Sequence, residues 1–446
     1  MSAVFCGLVQ VMHAWAIADA VRSGQTTALE VVDAALHRIS THRTNAVVTV
    51  DATGARRAAA AVDAARARGV DPGPLAGVPF TVKDTLATAG LRATGGSLVL
   101  AGNVPSIDAD VVGRLRDAGA VLVGKTNCPE FALQPRTENR IFGGTAHPLD
   151  PRRSPGGSSG GCAAAVAGGL VPFSIGGDYG GSIRYPAACT GIYGLRPSYG
   201  AVPTGGHVPE PRVGTPRHRF QTVGPLARTP RDIQLVFAVI AGRSASTMDE
   251  SPNLRAGIVR GGWSCTAAVA GAIDATADAL ASAGHSVVDL DAEVFVEAAA
   301  VFDAWRAADD YADLCALVAG RERDLTPHIA HLLRNAPVPA DVGARFDAVA
   351  RAVDEVLAST PVVVLPVARV GVLALDARTI EIDGQAESVD ALQILAPSRA
   401  VSLLGLPALA IPAGADADGF PVGVQLVGRT GAEPELVAVA MGLTRN

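Results

Sequence analysis

The stretch from Arg153 to Arg184, RSPGGSSGGCAAAVAGGLVPFSIGGDYGGSIR, constrains this chain more than any other. It carries two glycine-serine clusters, Gly156-Gly157-Ser158-Ser159-Gly160-Gly161 and Gly180-Gly181-Ser182. Between them, Cys162 to Gly169 has the small-residue composition of a tightly packed helix. Glycine at this density lets backbone approach another group closely, or adopt positive φ, without a steric penalty. With serines embedded in it, the stretch suits a nucleophile flanked by backbone N–H groups aimed at an oxyanion. A flexible linker and a phosphate cradle are the competing uses.

The neighbours weigh against both competitors. Apolar, structured segments flank the stretch, and Cys162 to Val171 packs where a linker would repeat Gly and Ser. A phosphate cradle needs GxxxxGK[ST] after a strand. No lysine is present, and Arg152-Arg153-Ser154-Pro155 is not a strand. Gly157 to Gly161 does match GxSxG with Ser159 at its centre, but a nucleophile elbow also needs a strand immediately before it. The downstream histidines His207, His218, His285, His328 and His331 sit in loops or helices and read as solvated or core side chains. A serine can instead be activated by a neutral amine, provided the lysine pKa is brought down.

Lysine usage bears on that point. The chain has two lysines, Lys83 and Lys125, against 35 arginines. Where arginine is the default cation, a retained lysine stands where an amine able to lose its proton is required, or survives by chance. Lys83 closes the apolar run Val78-Pro79-Phe80-Thr81-Val82, which reads as a strand. Burial there disfavours the charged amine. Side chains alternate along a strand, so Lys83 and Asp84 face opposite ways and need not pair.

The remaining pattern alternates helices and strands without an internal repeat or a linker, which predicts one α/β domain with a mixed sheet. Helices are expected over Ala14 to Ser40 with a break at Ser23-Gly24, and over Ala55 to Arg68, Asp110 to Ala118, Thr229 to Ala241 and Ala267 to Ala283. Glu297 to Leu357 reads as nearly all helical, broken around Pro337 to Pro339, and Gly200 to Gln221 as a long loop. Strands are expected at 45–50, 121–123, 255–259, 286–290, 362–366, 408–412 and 422–427, and a strand or tight turn at 191–196. A hydrophobic content of 49% supplies a substantial core. A net charge of −6 argues against nucleic acid as a partner. No run reaches the length of a membrane span, and residues 1–20 lack a cationic start, so a cytoplasmic protein is expected. Six scattered cysteines, without CxxC spacing, read as reduced thiols rather than a zinc site or disulfide framework.

Against that background the sequence resembles the amidase signature family of serine hydrolases. The resemblance runs through Gly77 to Asp84, Gly124-Lys125-Thr126-Asn127 with Glu130-Phe131, Pro155 to Gly161, and Gly176 to Arg184. It continues through Gly191 to Pro197, Val223 to Arg228, Gly405 to Ala408 and Gly419 to Gly428, leaving about 300–400 poorly matched. It implies the family's fold, a single domain over 1–446 with a large mixed sheet flanked by helices. The family-like core would lie at about 70–240 and 400–430, and a variable helical region on the substrate side at about 295–360.

The resemblance also implies a Ser–cis-Ser–Lys triad. Ser182 would be the nucleophile, Ser158 the bridging serine after a cis peptide, and Lys83 the base. Backbone N–H groups of Tyr179, Gly180, Gly181 and Ser182 would form the oxyanion hole. Ser159 would support the lysine, and pairing of Asp178 with Arg184 would hold the loop. Two departures stand out: Gly177 where the family has Thr or Ser, and His147, next to the expected pocket, where many members have Asn. Phe131, Gln134, Asn139 and His207 are the expected pocket residues, with Phe302, Trp305, Asp309 and Tyr311 as further wall candidates. The implied activity is hydrolysis of a small carboxylic amide without metal or cofactor, by a monomer or homodimer. Two alternatives stand beside it: the glutaminase subunit of a glutamyl-tRNA amidotransferase, and a non-catalytic scaffold. Gln393 to Leu404 lacks the acidic, Thr-Val-Pro-containing segment expected of the first.

Overall fold

The computed structural model describes residues 13–243, 253–338, 340–389 and 393–444; Cys6, Pro339 and the stretch before His13 lie outside them. Its centre is an 11-stranded mixed sheet. In chain order the strands are β1 (Val47–Val50), β2 (Pro79–Lys83), β3 (Val121–Thr126), β4 (Phe173–Asp178), β5 (Tyr193–Arg196) and β6 (Thr222–Ala227). They continue with β7 (Arg255–Ile258), β8 (Ser286–Asp289), β9 (Val362–Pro366), β10 (Ala408–Ala415) and β11 (Pro421–Gly428). Across the sheet the order is β1-β3-β2-β4-β6-β5-β10-β11-β9-β7-β8. β2 runs parallel to both β3 and β4, while β4, β6, β5, β10, β11 and β9 pair antiparallel in succession. Helices cover the sheet, making a single large α/β domain.

β4 and β6 are central strands that local pattern does not reveal. β4 reads Phe-Ser-Ile-Gly-Gly-Asp and is buried throughout, so it shows no polar alternation. Its glycines answer to close neighbours. A Cβ on Gly176 would lie 2.8 Å from Ser159 Oγ and 3.0 Å from Leu226 Cδ1. The hairpin Thr379–Ile382 with Gln385–Ser388, the helix Arg184–Thr190 and the C-terminal helix Glu433–Leu443 are likewise absent from the sequence pattern. The Gly200 to Gln221 loop holds a short helix, Pro216–Phe220, capped by Thr215.

The helix Gly160–Ala167 is buried on every side, which only Gly, Ala, Cys and Val could allow at such close range. A Cβ on Gly161 would come within 2.5 Å of both N and O of Asn127. Those are backbone atoms that cannot swing aside. Gly161→Ala is therefore expected to destabilise the fold by about 1–3 kcal/mol or more. Denaturant unfolding checks this; an unchanged midpoint would contradict the packing described. Among the described residues, no helix is long and apolar enough to cross a membrane.

Candidate active site

β2 carries Lys83 to the sheet end where the glycine-rich segments meet. Lys83 pairs in register with Thr126, whereas its neighbour Val82 pairs with Lys125. The pleat therefore sends the two lysines to opposite faces. Lys125 is fully buried and donates to the Leu86 carbonyl and to Thr88 Oγ1 (3.0 Å), fastening the loop after β2. Asp84 accepts from the N–H and hydroxyl of Thr94, and lies close enough to Lys125 for their charges to interact. The second lysine is thus a structural cation. Lys83 and Asp84 do not pair.

Lys83 Nζ donates to Ser158 Oγ at 2.6 Å, with both residues about 1% exposed. Burial pushes the amine below the ordinary lysine value, opposed by the charge of Asp178. The Gly157–Ser158 peptide is cis. Ser158, Lys83 and Ser182 line a narrow recess of about 40 Å³ together with Phe131, Gly177 and His207. Ser182 also lines a wider cleft of about 230 Å³ that leads away from it, walled by Tyr179, Gly180 and Phe302. The structure thus brings Lys83, Ser158 and Ser182 together at the junction of recess and cleft.

The loop Tyr179–Ser182 is held from behind by Asp178. Arg184 makes a two-point contact with it, Nε to Oδ2 at 3.1 Å and Nη2 to Oδ1 at 2.9 Å. Arg196 Nη1 adds contacts to Oδ1 at 3.2 Å and to the Asp178 carbonyl at 2.7 Å. Gly181 N–H donates to Oδ1 and Ile183 N–H to Oδ2. Burial alone would raise the Asp178 carboxyl, but the two guanidinium groups hold it well below the usual carboxylate range. Gly181 sits at φ 117°, and a Cβ there would lie 2.8 Å from Ser398 Cβ. The N–H groups of Tyr179, Gly180 and Ser182 have no acceptor among the described residues, so they stay available beside Ser182.

Several expected positions fall elsewhere. Ser159 donates to the Gly177 carbonyl at 3.2 Å, not to the lysine, because its hydroxyl is turned toward β4. Asn139 is not at either cavity. Its amide donates to Asn127 Oδ1 and the Cys128 carbonyl, and its oxygen accepts from the N–H groups of Ile141 and Phe142, so it fixes a turn. His147 likewise lies away from both cavities, within 2.9 Å of the Cys189 carbonyl and edge-on to Phe420. Phe131 and His207 line the recess, and Gln134 and Phe302 the cleft. Trp305 and Tyr311 pack in the wall behind, in the clusters of Phe220 with Phe346 and of Leu314 with Ile329. Asp309, also behind the wall, accepts from Tyr311 N–H.

His207 Nδ1 lies 2.9 Å from the Thr204 carbonyl and donates to it, leaving Nε2 as an unpartnered acceptor in the recess. Burial lowers its pKa to about 4, so the ring is neutral. A Cβ on Gly177 would lie 2.7 Å from Gln221 Nε2 and 3.4 Å from His207 Nε2. The space that a side chain at 177 would need is thus occupied by Gln221. Arg217, Gln221, Arg306, His328, His331 and Arg399 also line the two cavities. Arg306, His328 and His331 come from the helical region expected on the substrate side and Arg217 from the 200–219 loop, whereas Gln221 and Arg399 lie outside every pocket segment expected from sequence. No local motif marks these individual side chains. Glu130 ties this wall to the helical region, accepting from Ser97 Oγ at 2.7 Å and from Thr326 N–H and Oγ1 at 2.7 and 2.6 Å.

A buried lysine on a serine, a second serine at a cavity junction and free N–H donors beside it describe a site for nucleophilic attack on a carbonyl. The Amidase family model matches residues 30–437. The chain belongs to the amidase signature family, enzymes that hydrolyse carbon–nitrogen bonds of amides. A glutamyl-tRNA(Gln) amidotransferase subunit from Synechococcus sp. (strain RCC307) is 34% identical over 96% of this chain and 95% of its own length. The corresponding subunit from Roseiflexus sp. (strain RS-1) is 47% identical over 50% of this chain. That match, like several others to such subunits, spans about half of the relative, here 45%. A crystal structure of an amidase superposes with a TM-score of 0.88 at 29% identity, covering 97% of this chain and 99% of the other.

Proposed function

We propose that the protein hydrolyses a small carboxylic amide to a carboxylate and ammonia or an amine, through an acyl-enzyme on Ser182. The observation that carries this reading is the 2.6 Å contact between the buried Lys83 Nζ and Ser158 Oγ in a narrow recess that Ser182 also lines. Burial favours the neutral amine, whose lone pair takes the Ser158 proton as Ser158 takes that of Ser182. Ser182 Oγ attacks the amide carbonyl, and the developing oxyanion meets the N–H groups of Tyr179, Gly180 and Ser182. The Gly181 N–H is committed to Asp178, so it holds the loop. The relay then returns the proton to the leaving nitrogen, and water hydrolyses the ester by the same path.

A fluorophosphonate probe tests this assignment. Wild-type protein should gain one adduct, located by peptide mass spectrometry on Ser182, and Ser182→Ala should gain none. Equal labelling of the two proteins would sink the assignment.

The glutaminase-subunit reading is favoured by one observation, the 34% identity that runs over 95% of the Synechococcus amidotransferase subunit. Ammonia release from glutamine, with and without glutamyl-tRNA and partner subunits, separates it from a free-standing amidase.

A further inference from the structure

The cleft that leads away from Ser182 has a charge pattern the proposed chemistry does not use. Arg306, Arg399, His328 and His331 line it, and among the described residues no Asp or Glu does. Arg399 is 2% exposed, and its Nε has no partner. Its Nη2 donates to Gln393 Oε1 at 3.3 Å. Its Nη1 lies 2.7 Å from Asp303 Oδ1, an ion pair by distance in which neither atom completes a hydrogen bond. The stem of Arg399 crosses the nucleophile loop: a Cβ on Gly180 would sit 3.1 Å from its Cγ and 3.5 Å from Phe302 Cζ.

Arg306 is half-buried, interacts with the Tyr311 hydroxyl and leaves its Nε unpartnered. The ion pairs nearby belong to Arg212, Arg217 and Arg399; among the described residues none is made by Arg306. The rest of the wall is apolar, with Leu133, Phe302, Leu332 and Leu395. Apolar walls suit methylene groups, and guanidinium forks suit a carboxylate.

We propose that this cleft takes the acyl chain of an amide that ends in a carboxylate, seated between Arg306 and Arg399. The proposal rests on the catalytic reading above, with the acyl carbonyl at Ser182 and the chain extending along the apolar wall. It also disfavours an ammonium on that chain, which would face two guanidinium groups in a cleft that no carboxylate lines among the described residues, Asp303 being turned to Arg399. A monoamide of a dicarboxylic acid therefore fits better than glutamine, which carries both charges.

Ammonia release from succinamate, glutaramate and adipamate, set against pentanamide, 5-aminopentanamide and glutamine, provides the test. At least one monoamide should exceed pentanamide in kcat/KM by about tenfold or more, with 5-aminopentanamide and glutamine below it. Arg306→Gln should bring that ratio to within about twofold of unity, the loss falling on KM. A ratio at or below unity in wild type, or one that survives Arg306→Gln, overturns the proposal. If no amide is turned over, the same compounds are scored for slowing fluorophosphonate labelling of Ser182. Protection by a monoamide that Arg306→Gln removes supports the proposal, and no protection overturns it. Absence of labelling altogether would instead sink the catalytic reading, so the two failures are distinguishable.

Discussion

Lys83→Arg is expected to lose amide hydrolysis almost completely, with kcat down by at least ~10⁴-fold, on the scale seen when one member of a serine-hydrolase relay is removed. A guanidinium group stays protonated throughout the working pH range and cannot accept the Ser158 proton. Lys83→Met, close in length and uncharged, separates chemistry from folding: it should unfold cooperatively and be equally inactive. The pH profile carries the same argument. Burial lowers the folded-state pKa of Lys83, and the proposed base is its neutral form. Activity should therefore be present above that pKa and lost as pH falls through it. The limb in kcat/KM should lie below the ordinary lysine value of about 10.4. A fully active Lys83→Arg enzyme, or a limb at the ordinary lysine value, would remove the lysine from the mechanism.

Asp178→Asn is expected to be the most destabilising single change near the site. The carboxylate and both its partners, Arg184 and Arg196, have no exposed surface. Removing its charge leaves two buried guanidinium groups uncompensated, which costs about 3–5 kcal/mol. The Gly181 and Ile183 N–H groups, which donate to the two carboxylate oxygens, would lose at least one acceptor, so the loop carrying Ser182 should loosen as well. Denaturant titration reads the stability, and fluorophosphonate labelling rate reads the loop. The linkage has a definite sign. Because the folded-state pKa of Asp178 is depressed, its contribution is present above the unfolded carboxylate value of about 3.9 and is lost as pH falls through the lower folded value. The gap between wild type and Asp178→Asn should accordingly be full at neutral pH and shrink in strong acid. A neutral-pH difference under about 1 kcal/mol would mean that the buried cluster is not holding the loop.

The cluster around Asp178 explains how much of the site could be read locally. Gly180, Gly181 and Ser182 lie in one short motif with Asp178 and Arg184, so their association is a matter of a few residues of chain. Arg196 and Gln425 complete the cluster from β5 and β11, and Ser402 from the helix Ala396–Leu403. Nothing in the spacing of those residues announces the contact. The same division holds for the two lysines. Their rarity singles both out, but only the register of β2 against β3 separates the one on Ser158 from the one that fastens a loop.

Glycine misleads in one respect. The density that marks Arg153 to Arg184 as close-packed backbone also conceals β4, because Gly176 and Gly177 remove the side-chain alternation by which a strand is recognised. The stretch is not two loops joined by a helix. It is a loop, a buried helix, a central strand and the loop carrying Ser182 at the strand's end.

By itself the sequence determined the α/β class, the glycine-serine clusters, and the three residues, Lys83, Ser158 and Ser182, that converge on one recess. The first two follow from composition and short-range spacing; the three residues follow from the motifs that resemble the amidase signature family. The tertiary structure alone decided that Ser159 faces Gly177 and that Asn139 braces a turn. It alone set Arg306 and Arg399 along the cleft beyond Ser182. Each of those outcomes depends on where a side chain lands once the segments around it have packed, and packing is set by the whole core at once.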